Sequence, residues 1–258
     1  MGEVARFFCF SRAGVHLISA RLVTQLAILT ATLTLTFPAW AGTVAIITPA
    51  ARDTKPAQPT KQSHERNHER ILVYGDSLSA AYGLNPADGW VSLMAAQLKP
   101  RGVEVINASI SGETSIGGAA RIKADLALQK PTIVLLALGA NDGLRGLPVA
   151  AMQKNLEAIT IASLAAGARV VMIGIQIPPN YGIEYTRQFS ATFSTLATKY
   201  KLLLVPFLLD GIADKLELFQ ADRLHPAAIA QPRILQNVMP TVEQALKKNS
   251  QLPKKVKL

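Results

Sequence analysis

The sequence predicts an α/β protein, a three-layer α/β/α sandwich around a central parallel sheet of about five strands. Two observations carry this. Between residues 71 and 246, short β-branched or leucine-rich runs alternate with helical patterns, and the runs are apolar throughout, as strands buried on both faces should be. That alternation fills roughly 175 residues without an internal repeat, the size of one domain.

The strand-like runs are residues 71–74, 103–106, 133–138, 170–175 and 202–205. Helical patterns fill the gaps. Residues 88–98 place Trp90, Val91, Met94, Ala95 and Leu98 on one face, and Pro148 opens a helix that carries Leu156, Ile159 and Leu164 and ends at Gly167.

The ends of the chain have a different composition. Arg6, Arg12 and Arg21 are followed by an uncharged, mostly apolar stretch over 22–37 and by Ala39-Trp40-Ala41, a small-x-small cleavage pattern. The apolar stretch is short and threonine-rich for a membrane span of about 20 residues, so residues 1–41 read as a signal peptide and the mature chain is expected to start near Gly42. The single cysteine, Cys9, falls in this leader, which leaves the mature chain no disulfide. Residues 42–70, with Pro49, Pro56 and Pro59 among polar residues, read as a linker, 71–246 as the folded domain and 247–258 as a basic tail.

The formal charge of +10 suggests nucleic-acid binding until it is divided along the chain. The leader and linker carry +2 each and the tail +5, so the domain holds only +1 and offers no phosphate-tracking stripe. The tail lysines Lys247, Lys248, Lys254, Lys255 and Lys257 read as a solvated end, with weak contact to an anionic membrane as the alternative. Oligomeric state is not encoded in any pattern here. His64-Glu65-Arg66-Asn67-His68 matches the zinc-protease pattern H-E-x-x-H, but its neighbours are polar where that chemistry needs a buried helix and a third ligand. No metal is therefore expected. A P-loop, G-x-G-x-x-G and G-x-S-x-G are all absent, so neither a nucleotide cofactor nor an α/β-hydrolase elbow is expected.

Chemistry concentrates where strands end. Gly75-Asp76-Ser77-Leu78-Ser79 follows the first strand, and ligands of open parallel sheets bind outside the carboxyl ends of the strands, so Ser77 stands at a nucleophile's position. It needs a base. His16, His64 and His68 lie before the domain, which leaves His225 in Asp222-Arg223-Leu224-His225-Pro226, where Asp222 can hold the imidazole in the tautomer that accepts the serine proton. The alternative for Asp222 is a cap on a helix starting near Pro226. Asn107-Ala108-Ser109-Ile110-Ser111-Gly112-Glu113-Thr114 follows the second strand and Gly139-Ala140-Asn141-Asp142-Gly143 the third. If the strand order is 2-1-3, the three loops share one crevice, and the amides of Ser77 and Gly112 with the Asn141 side chain could form an oxyanion hole. Ordinary turns are the competing account of the Gly112 and Asn141 runs. Asp76 is expected to brace its own turn through backbone N–H groups, and Asp142 likewise.

These blocks together resemble the GDSL or SGNH hydrolases, a family named for its Ser, Gly, Asn and His. Asn107 to Gly112, Asn141-Asp142-Gly143-Leu144-Arg145-Gly146 and Pro178-Pro179-Asn180-Tyr181-Gly182 are similar to its branch of exported bacterial thioesterases, lysophospholipases and arylesterases. The resemblance covers about residues 70–246. It implies a flavodoxin-like fold, Ser77 as nucleophile, His225 as base, Asp222 as its orienter, Ser77, Gly112 and Asn141 as the oxyanion hole, and residues 141–147 as a mobile substrate loop. It also implies an acyl channel drawn from Leu78, Leu144, Ile175, Ile177 and Tyr181. Two positions depart from the pattern: Arg223 stands where glycine is frequent, and Gln176 where a basic residue is common.

The expected activity is that of an exported, cofactor-independent serine esterase acting through an acyl-enzyme on small acyl esters: lysophospholipids, aryl or long-chain esters, and thioesters. A carbohydrate O-acetyl esterase is the alternative among enzymes, and a lipid-binding envelope protein without turnover the alternative outside them.

Overall fold

The computed structural model describes residues 68–249. Five parallel strands form its sheet: β1 (Arg70–Gly75), β2 (Glu104–Asn107), β3 (Ile133–Ala137), β4 (Arg169–Ile173) and β5 (Leu203–Val205), in the order β2-β1-β3-β4-β5. The central strands are the most apolar. Ile71, Leu72, Val73 and Tyr74 of β1 and Ile133, Val134, Leu135 and Leu136 of β3 have no exposed surface, while the edge strand β2 is only half-buried. Each such side chain contributes about 1.5–3 kcal/mol by leaving water, and Leu135→Ala would cost roughly 2–5 kcal/mol with its cavity.

Helices cover both faces. α1 (Trp90–Leu98) and α6 (Gln231–Asn249) pack together on one side, and α2 (Ser115–Gln129), α4 (Val149–Ala165) and α5 (Ile183–Tyr200) form the layer on the other. This is the three-layer sandwich expected. A short helix, α3 (Ala140–Leu144), follows β3, where the sequence reads as a plain turn. No helix among the described residues is long and apolar enough to cross a membrane. The leader, most of the linker and the end of the tail lie outside the described residues.

Local chemistry moves some boundaries. α1 starts two residues later than the apolar pattern suggests, because Asn85 caps a separate turn at Pro86–Asp88 by accepting from the Ala87 N–H (3.1 Å) and Gly89 is extended. β4 stops at Ile173 instead of residue 175, since its partner β5 ends at Val205 before Pro206, which has no N–H to donate. Register then places the site. Val73 pairs with Asn107 and Gly75 with Ala137, so β1, β2 and β3 release their loops at nearly one level of the sheet edge, with β1 between the others.

Candidate active site

The loop after β1 is wound around Asp76, which is fully buried. Its carbonyl oxygen accepts from the N–H groups of Ser79 (3.0 Å) and Ala80 (2.9 Å), and its Oδ1 accepts from the Leu78 N–H (3.0 Å). Asp76 thus braces the turn that presents Ser77. Its Oδ2 is buried without a partner among the described residues. Burial pushes the carboxyl up to about 7, against the Leu78 N–H, and the charge of Asp142 adds to the rise.

Ser77 Oγ lies 2.9 Å from His225 Nε2, and His225 Nδ1 lies 2.6 Å from Asp222 Oδ2. A carboxylate only accepts, so Nδ1 carries the hydrogen and Nε2 is left to accept from the serine hydroxyl. The other oxygen of Asp222 accepts from the backbone N–H groups of Leu224 (2.9 Å) and His225 (3.0 Å). The His225 N–H, then the imidazole, then the Leu224 N–H hold the Asp222 carboxyl down to about 2, well below its usual range. Asp222 is no cap of α6, because a turn at Ala228–Ala230 intervenes and that helix begins at Gln231. Its carboxylate serves the histidine turn.

A chain of three hydrogen bonds links the serine and histidine loops. Buried Trp90 donates from Nε1 to the Leu78 carbonyl (3.0 Å) and from its backbone to Gln231 Oε1 (3.0 Å). Gln231 in turn donates to the Pro226 carbonyl (3.3 Å).

The other two loops join the first. Asn107 donates from Nδ2 to the Ser79 carbonyl (2.8 Å), and Gly112 has a φ of +79°, a left-handed conformation that costs glycine nothing. Arg121 of α2 steadies this loop: it donates to the Ala108 carbonyl (2.8 Å), pairs with Glu113 and Asp125 (2.6 Å), and lies over the Tyr74 ring at 4.0 Å. Asn141, in α3, donates one Nδ2 hydrogen to the Glu113 carbonyl (3.0 Å), which leaves the second to point elsewhere. Asp142 does not brace its own turn as the sequence suggests. Buried, it accepts from the backbone N–H (2.7 Å) and hydroxyl (2.6 Å) of Ser115 and so pins the start of α2 to α3.

Ser77, Gly112, Asn141 and His225 line one groove of about 670 Å³. Among the described residues the backbone N–H groups of Ser77 and Gly112 donate to no protein acceptor. Two free amides and an amide side chain therefore converge on the cavity that holds the serine oxygen, the requirement of an oxyanion hole. Leu78, Leu144, Ile175 and Ile177 line the same groove. Tyr181 does not: its hydroxyl donates to the Leu144 carbonyl (2.9 Å), so it supports the Leu144 loop and its place on the groove wall needs correcting.

The far wall had no advance signal. Phe207, Leu209, Ala213, Leu216 and Phe219, all after β5, complete the groove, and Tyr82 sets its ring 4.5 Å from that of His225. None of these carries a reactive group, and their one trace in the sequence is the apolar cluster around Leu216-Glu217-Leu218-Phe219. Of the H-E-x-x-H pattern, His64 and Glu65 fall outside the described residues and His68 is exposed at their border.

The GDSL-like lipase/acylhydrolase family matches residues 73–231, a span that contains Ser77, Gly112, Asn141, Asp222 and His225. The chain belongs to this family. It is 48% identical over 180 residues to Esterase TesA of Pseudomonas aeruginosa, covering 69% of this chain and 90% of that protein. An arylesterase of Vibrio mimicus is 42% identical over 172 residues, 66% of this chain and 86% of its own. Among solved structures, the psychrotrophic esterase EstA from Pseudoalteromonas, inhibited by monoethylphosphonate, superposes with a TM-score of 0.67 at 44% identity, covering 69% of this chain and 99% of that one. The GDSL-like fold and this kinship make the protein a carboxylic-ester hydrolase acting on small-molecule esters.

Proposed function

We propose that the protein is an exported serine esterase that cleaves long-chain and aryl esters, lysophospholipids and thioesters through an acyl-enzyme on Ser77. The observation that carries this is the hydrogen-bonded series Asp222, His225, Ser77 at the floor of an apolar groove. As the Ser77 oxygen attacks the ester carbonyl, His225 Nε2 takes its proton, and Asp222, ionised, stabilises the imidazolium without moving. Charge gathering on the carbonyl oxygen meets the Ser77 and Gly112 amides and the Asn141 side chain. His225 returns the proton to the departing alkoxide, the acyl group stays on Ser77, and a water activated by the same nitrogen releases the acid.

The substrate reading rests on the groove. Leu144, Ile177, Phe207 and Leu216 give it apolar walls, which favour an acyl chain over the polar ring of a carbohydrate. Each methylene buried is worth about 0.8 kcal/mol, so specificity should climb with chain length until the groove is full. Export rests on the leader pattern at Ala39-Trp40-Ala41. A series of 4-nitrophenyl esters from acetate to decanoate tests the reading. Rising kcat/KM toward the middle or long chains is expected, and a maximum at acetate would transfer the protein to the O-acetyl esterases.

A further inference from the structure

Arg223 sits in the turn between the two histidine-loop groups, and its backbone is unusual. Its φ is +57°, in the left-handed region, at a position glycine would occupy without strain. The turn is closed by its own N–H, which donates to the Gln220 carbonyl (2.9 Å). Among the described residues Arg223 is the one lysine or arginine that lines the groove.

Other arginines of the domain are committed elsewhere. Arg145 donates to the Gly112 carbonyl (2.9 Å), Arg121 pairs with Glu113, Arg187 with Glu184 (2.6 Å), and Arg233 with Asp210 (3.5 Å). The guanidinium of Arg223 makes no hydrogen bond or ion pair among the described residues. Asp214 also lines the groove, yet the two charges form no salt bridge with each other. A side chain held at a strained backbone position, with its charge free at the mouth of a site, marks a function that the turn alone does not need.

The chemistry says which part of a substrate it would meet. His225 must hand its proton to the leaving oxygen, so the alcohol half of the ester lies beside Nε2, while the apolar wall takes the acyl half. Arg223 lines the groove two residues from His225, the group that meets the alcohol half. We propose that Arg223 is a specificity-determining residue that selects esters whose alcohol portion carries an anionic group, either the phosphate of a lysophospholipid or a carboxylate. A guanidinium matches both in a bidentate fork. The inference rests on the esterase reading above and narrows it.

The test compares kcat/KM for three decanoyl esters below their aggregation concentrations: of glycerol, of glycerol phosphate and of a hydroxy-carboxylic acid. Wild type should favour the anionic esters by about fivefold, the scale of one partly exposed charge contact, and the preference should shrink at about 1 M ionic strength. R223Q and R223G should both bring the anionic-to-neutral ratio near unity, the latter with a backbone that keeps the turn, and R223K should restore most of it. Preference for the phosphate ester alone assigns the lipid phosphate; preference for both assigns a general anion subsite. Turnover of all esters with the same ratio in wild type and R223Q overturns this inference alone, whereas turnover of none by wild type overturns the esterase reading with it.

Discussion

On one side of the groove, Ser77, Gly112 and Asn141 leave adjacent strands on short loops tied by polar side chains: buried Asp76 within the serine turn, buried Asp142 on Ser115, Asn107 on Ser79 and Arg121 on Ala108. The other wall takes apolar side chains from Phe207, Leu209, Ala213, Leu216, Phe219 and Leu224, with Leu216 59% and Leu224 42% accessible. The first side fixes reacting atoms and tolerates little displacement. The second gives shape and apolar surface, and can change without moving the serine. The reacting groups and the more exposed part of the groove lining thus sit on different parts of the fold.

The sharpest way to break this division is Ser77→Ala, which should lower ester hydrolysis by on the order of 10⁴-fold while the melting curve survives. Retained activity would detach the chemistry from the rigid side.

The rigid side should also be pH-sensitive through Asp76. Its folded carboxyl titrates at about 7 against an ordinary 3.8, so between those values the folded chain holds a proton that the unfolded chain has released. Stability from this group is full below about pH 4 and is lost as pH rises through 7, by about 4 kcal/mol. Asp222 works in the opposite sense and only in stronger acid, losing its contribution as pH falls from 3.8 toward 2. Urea unfolding of wild type and Asp76→Asn at pH 5 and pH 8 should therefore show the variant gaining on wild type at the higher pH. A gap independent of pH would contradict a protonated Asp76.

Asp142→Ala should cost about 2–3 kcal/mol, since it strands the N–H and hydroxyl of Ser115, and should lower kcat by moving Asn141. Leu216→Ala on the opposite wall should change unfolding stability by less than about 0.5 kcal/mol. Equal losses from the two would erase the contrast. Leu144→Ala is expected to lower kcat/KM for decanoate esters about three- to tenfold while acetate esters change little, which flattens the chain-length preference.

The sheet was readable because β1, β3 and β4 are buried on both faces and their sequences carry no charged side chain to obscure it beyond the ends. The serine, histidine and aspartate were readable because chemistry restricts residue type: the domain holds one histidine, and an aspartate stands three residues before it. What stayed hidden depends on tertiary placement. Asn141-Asp142-Gly143 has turn chemistry, yet it forms α3 because Gly139 permits a φ of +122° and Asp142 is drawn to Ser115. Tyr181 looked like groove lining because it is apolar in a proline-rich loop, but its hydroxyl found the Leu144 carbonyl. The wall from Phe207 to Phe219 contains no residue whose chemistry announces a site, and only the turn of the chain beyond β5 brings it there.

The central claim is that Ser77 becomes acylated. Incubation with a fluorophosphonate followed by peptide mass spectrometry tests it most directly, and EstA's inhibition by monoethylphosphonate shows that such phosphorus compounds act on a relative. The account predicts one adduct, on Ser77, formed in step with loss of esterase activity and absent from Ser77→Ala. An active enzyme that is never labelled, or a label on another residue whose formation abolishes activity, would contradict it.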